Sequence, residues 1–137
     1  MTTLTQQTEH GRIPLTHSPA VTPGIWSRGA LWAAQIAAAG LFLFSGMLKL
    51  AGVPAMVQLF DAIGVGQWFR SATGTIEVAS AVLLLVPSLV FYGALALAAT
   101  MIGAIFTHFF IVGGSPALPG LLLAVTIAVA WGRRNER

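Results

Sequence analysis

From Ala30 to Gly52 the chain is almost continuously apolar, longer than the ~20 residues a bilayer span requires, with one charge, Lys49, near the far end. This stretch predicts a first transmembrane helix. Val53–Arg70 is too polar to span. There Met56, Leu59, Phe60 and Ile63 follow an i, i+3, i+4, i+7 stripe with Gln58 and Asp61 among them. The segment closes on Gly64-Val65-Gly66-Gln67-Trp68-Phe69-Arg70, an aromatic and cationic anchor. A short amphipathic helix in the membrane interface fits this pattern, with an ordinary polar loop as the plainer alternative.

Thr73–Val86 is apolar apart from Glu77 and is stopped by Pro87; with the flanking Arg70 to Thr73 it reaches bilayer length as a second span. Leu89–Val112 is the third, carrying Thr100, Thr107 and His108. Gly113-Gly114-Ser115-Pro116 breaks the chain, and Ala117–Trp131 is a short fourth span. The predicted fold is all-α, an integral membrane four-helix bundle with a short interfacial helix between the first and second spans. Residues 1–25 are Thr-, Pro- and Gln-rich with no sustained apolar period, and read as a disordered tail preceding a membrane domain at 26–137. They do not read as a secretory signal, because the apolar region that follows is too long and lacks a small-residue cleavage site.

Composition agrees with a membrane setting. Of 137 residues, 56% are apolar and 8% charged, against roughly 25% charged in a soluble domain. That excludes disorder for the chain as a whole. It also argues against nucleic-acid binding, since the basic balance is a net charge of only +3. With no cysteine there is no disulfide framework, dithiol relay, iron–sulfur cluster or cysteine–zinc site.

The basic residues set the expected orientation. Arg12 and Arg28 precede the first span, and Arg133, Arg134 and Arg137 follow the fourth. The connector holding Lys49, Asp61 and Arg70 is nearly balanced. An even number of spans puts both termini on one side, and the basic count makes that side cytoplasmic. Trp26, Trp32, Tyr92 and Trp131 then fall near the inner interface and Trp68 at the outer one.

An ionisable group inside a span costs about 2.5–3.5 kcal/mol and is a functional-site candidate by default. Lys49, Glu77 and His108 qualify. With the expected topology all three fall in the outer half of the bilayer, Glu77 roughly 10 Å deep at 1.5 Å per residue from Arg70. Arg70 lies on the face of Glu77 and adds a cation at the rim. Plainer readings stand beside each. Lys49 can snorkel to the headgroups, Glu77 can form a structural ion pair with Lys49 or Arg70, and His108 can hydrogen-bond between helices. The Gly- and Ala-rich faces of spans one, three and four, Gly40 and Gly103 among them, are expected to lie between helices.

Several chemistries are poorly supplied. A bis-histidine haem needs two intramembrane histidines, and His10 and His17 lie in the tail. One His beside one Glu is too few ligands for a metal. Gly64-Val65-Gly66 follows no strand and is no dinucleotide fingerprint. A proton-exchanging pocket for a small lipophile such as a quinone survives, with His108 and Glu77 exchanging protons and Lys49 polarising an oxygen.

Five ordered motifs resemble the DoxX family. They are Gly46-Met47-Leu48-Lys49-Leu50-Ala51-Gly52, the Phe60–Arg70 run FDAIGVGQWFR, Thr73-Gly74-x-x-Glu77, Leu83-Leu84-Leu85-Val86-Pro87, and Met101–His108. The resemblance covers about residues 30–134. It implies a small four-helix bacterial inner-membrane protein. The family name comes from association with a thiosulfate:quinone oxidoreductase, and some relatives are linked to membrane oxidoreductase complexes and to thiol or oxidative-stress resistance. Lys49, Glu77 and His108 match recurrent polar positions of the family motif.

Three functions follow as expectations. The first is a membrane subunit in quinone-linked redox or stress physiology, binding a lipophile and a redox partner, with no redox centre of its own evident; Lys49, Arg70, Glu77 and His108 would be its ligand-binding residues. The second is a non-catalytic scaffold or assembly factor whose polar cluster is architectural. The third is a small permease, for which a homo-oligomer would supply the missing spans.

Overall fold

The computed structural model describes residues 25–134, and the expectations for the N-terminal tail and for Arg137 lie outside them. Among the described residues the chain is all-helical. Helix α1 is Ile25–Ala51, α2 Pro54–Ile63, α3 Gln67–Leu85, α4 Val90–Thr107 and α5 Ala117–Arg133. Helix α4 continues without a break into a wider π-helical turn, His108–Val112. Helices α1, α3, α4 and α5 pack side by side, α3 against both α1 and α4, and α5 against both α4 and α1. Two segments, Arg28–Ala51 and Val90–Val112, are long and apolar enough to cross a membrane. At 17 residues, α5 falls short of the usual span length of ~20.

Each α1–α3 boundary has a local cause. Gly52 takes a positive φ of 66°, which ends α1, and Pro54 then starts α2 from a position where its missing N–H costs nothing. Gly64, at φ 79°, closes α2 with its N–H on the Phe60 and Asp61 carbonyls. The expected interfacial helix is therefore ten residues long, and the Gln67–Arg70 anchor belongs to the first turn of α3 instead. Its apolar stripe does bury Phe60, which meets Phe69 of α3 edge-to-face with centroids 5.8 Å apart. Gln67 fixes the same joint, donating from Nε2 to the Val57 carbonyl at 3.0 Å and to Asp61 Oδ1 at 2.6 Å.

The core is a column of small and medium side chains around Phe42, with Ala38, Ala39, Ala81, Leu84, Ala94, Leu97 and Val129. On α1 the inward stripe is Gln35, Ala38, Ala39, Phe42, Gly46, a 3.6-residue period that extends to Lys49. Ala38 and Ala39 are buried as expected, Ala37, Ala99, Ala124 and Ala128 are exposed, and neither Gly40 nor Gly103 lies between helices. Both are exposed, and a Cβ built on either meets nothing within 4 Å. Gly40 follows Ala39 by one residue, about 100° around the helix, so it leaves the inward stripe. The close approaches are made by other glycines. A Cβ on Gly46 would sit 2.9 Å from the Gly74 carbonyl oxygen, and one on Gly93 2.8 Å from that of Ser80. These are the crossings of α1 on α3 and of α3 on α4.

Candidate functional site

The α1–α3 crossing is where the two predicted intramembrane charges meet. Gly46 and Gly74 face one another, and a Cβ on Gly74 would lie 2.9 Å from Lys49 Cβ. Bare backbone on both sides brings the helices close enough for Lys49, in the last turn of α1, to reach Glu77 on α3. Lys49 Nζ donates to Glu77 Oε2 at 2.8 Å and to Oε1 at 3.1 Å. Its remaining proton goes to Ser45 Oγ, one turn back on α1, at 2.7 Å. An ammonium has three donors and no acceptor, so all of Lys49's donors are matched within the chain. The Glu77 side chain is 2% exposed and that of Lys49 13%.

Arg70 is adjacent but does not join the pair. Its guanidinium donates through Nη1 to the Lys49 carbonyl and through Nε to Gln67 Oε1 at 2.6 Å. It thereby gives the Lys49 carbonyl, which already accepts from the Gly52 amide at 3.2 Å, a second donor, and places a cation against the negative end of α1. Arg70 is a clamp between helix ends, and it reaches Glu77 only indirectly, through the backbone of Lys49.

His108 lies elsewhere. Gly93 packs on Ser80 and Leu84 across antiparallel helices, which puts Leu97 near the level of Glu77. His108 is eleven residues further along the chain, about 16 Å at the helical rise. It opens the π-helical turn beside α2, and its Nδ1 is 3.4 Å from the Gly113 carbonyl oxygen. Among the described residues no hydrogen bond links it to Lys49 or Glu77. The expectation of a common depth counted each residue from its own helix end; the register of α3 on α4 sets the true level.

A second buried polar group sits at the opposite end of the bundle. Gln35, fully buried, donates to the Leu84 carbonyl and accepts from Arg133 Nε at 3.0 Å. The Arg133 guanidinium also covers the Trp32 ring, 4.5 Å from its centroid. This link ties α1, α3 and α5 together through Gln35, a residue outside the expected site. Its signal was present: a lone amide on the same stripe as Ala38, Phe42 and Lys49.

Among the described residues no group of three or more His, Asp or Glu is placed to hold a metal ion. The arrangement at Lys49–Glu77 is a closed, hydrogen-bonded ion pair. Chemically it can hold two helices at a fixed spacing, and the more accessible of its two side chains is that of Lys49.

No curated protein and no solved structure matches the chain. A family profile does, over residues 33–131, from the inward stripe of α1 to the last turns of α5. That range contains Lys49, Arg70, Glu77 and His108, the whole of α3 and α4 and most of α1 and α5, and on this match the chain belongs to the DoxX-like family.

Proposed function

We propose that this protein is a four-span inner-membrane subunit with both termini cytoplasmic, serving as a non-catalytic scaffold for a membrane redox or stress-protection assembly. The observation that carries the architectural reading is the saturation of Lys49: three ammonium donors, three acceptors, and a carboxylate shielded from solvent. A ligand oxygen would have to displace Ser45 or Glu77 to reach it. Support for the membrane setting comes from the outward faces. Ile36, Phe44, Leu95, Ile102 and Phe106 are each more than half exposed and run the length of α1 and α4. A water-soluble monomer rarely exposes so continuous an apolar surface.

One observation favours the quinone-binding reading. The Lys49 side chain is 13% exposed, and a quinone carbonyl that reached its ammonium would accept a hydrogen bond in place of Ser45. Quinone analysis of protein purified in mild detergent separates the two. Under the scaffold reading, the wild type and the Lys49→Met/Glu77→Gln double variant carry the same trace of quinone. About one quinone per wild-type chain, lost in the double variant, would overturn it. Topology is tested separately: reporter fusions near Asp61 and after Arg137 should give opposite-side signals, and matching signals refute four spans.

A further inference from the structure

A groove between α4 and α5, about 210 Å³ in volume, opens on the bundle surface at the end where α5 terminates. Ala94, Ala98 and Ala130 make its deeper part, and the exposed side chains of Leu95, Ile127 and Trp131 form its rim. Thr126 lines it too, but turns its hydroxyl to the Leu122 and Leu123 carbonyls at 3.0 and 2.8 Å. The groove is therefore almost wholly apolar along its length, with the Thr126 proton already committed within α5. It finishes at Arg134, an exposed cation whose guanidinium lies 5.2 Å from the Trp131 ring centroid.

Charge is distributed unevenly around this groove. Arg28, Arg133 and Arg134 lie at this end, whereas the acids among the described residues, Asp61 and Glu77, lie on α2 and midway along α3. An occupant must match an apolar trough with no polar partner and a single cation at its mouth. We infer that the groove seats one acyl chain of an anionic phospholipid from the surrounding bilayer, with the phosphate held by Arg134. Guanidinium binds phosphate through paired hydrogen bonds, and Trp131 is suited to the headgroup level, where its ring is half apolar and half polar. A quinone head would find no donor within the trough, so an acyl chain fits it better. The inference rests on the membrane reading above.

The test uses full-length protein in nanodiscs of phosphatidylcholine with one-fifth phosphatidylglycerol, released into mild detergent for native mass spectrometry. The wild type should retain one phosphatidylglycerol in preference to phosphatidylcholine by about five-fold, the effect of a single arginine at a membrane surface. Arg134→Gln should bring that preference close to one while leaving the fold intact by circular dichroism. Ala98→Phe, which fills the half-buried part of the trough, should abolish retention of either lipid. Undiminished preference in Arg134→Gln, unchanged retention in Ala98→Phe, or retention of quinone in place of phospholipid overturns the proposal. Failure of the membrane reading looks different: the wild type would then be removed from membranes by an alkaline carbonate wash.

Discussion

Neutralising Glu77 is the sharpest test of what the ion pair does. Glu77→Gln keeps the shape of the side chain and removes its charge, leaving the Lys49 ammonium with Ser45 and one amide oxygen. Breaking a buried pair costs about 3–5 kcal/mol, because the remaining charge is stranded. The two halves of this pair are stranded unequally. Lys49 is 13% exposed in the last turn of α1 and can swing its long stem outward, so Glu77→Gln should lie near the low end, about 3 kcal/mol. Lys49→Met leaves a carboxylate only 2% exposed on a short stem, and should cost about 5 kcal/mol. Removing both charges leaves no stranded group, since a buried pair replaced by neutral side chains is often close to neutral in stability. The double variant should therefore be more stable than Lys49→Met alone. Equilibrium unfolding in mixed detergent micelles, followed by tryptophan fluorescence, measures all three variants. If the double variant is as unstable as the sum of the singles, the charges are not coupled and the ion pair does not hold α1 to α3.

Three more variants test the helix crossings and the end of α1. Gly74→Ala should destabilise the protein by about 1–3 kcal/mol, since its Cβ would lie 3.0 Å from the Gly46 carbonyl oxygen. Gly40→Ala, with open space around its Cβ, should be neutral or stabilising by up to ~1 kcal/mol from helix propensity, and the opposite ranking in a thermal-stability assay would refute the assigned faces. Arg70→Ala should cost about 2 kcal/mol through the lost cap on the Lys49 carbonyl. Hydrogen exchange should rise at the Gly52 and Val53 amides, which bond back to the last turn of α1, and unchanged protection there would show that Arg70 does not hold the helix end.

Much of the fold was legible along the chain. Uninterrupted apolar runs marked the long helices, Gly52-Val53-Pro54, Pro87 and Gly113–Pro116 marked their breaks, and the Phe60 stripe marked the short helix between α1 and α3. Those features act within a few residues of themselves, through backbone dihedrals and local hydrogen bonds, so linear order suffices to read them. The five motifs pointed to the family for a related reason: each is a short run of residue types at fixed spacings, legible without knowing how the helices pack.

What linear order left open was azimuth and register between helices. Gly40 and Gly46 are alike as residues, yet one faces outward and the other sits 2.9 Å from a neighbouring carbonyl, because six residues of helix rotate the Cβ direction to another face. Arg70 was placed with Glu77 by its position on one helix; its guanidinium instead donates to the Lys49 carbonyl at the end of α1, beside the Gly52 amide. His108 shared a nominal depth with Glu77, but the packing of Gly93 on Ser80 slides α4 so that the two are separated along the bundle. Gln35 and Arg133, 98 residues apart, meet only because α5 folds back against α1. The sequence alone determined which segments are helical and which polar groups must find partners. Only the tertiary structure decided the partners, because close packing of bare backbone sets the rotation and sliding of each helix against the next.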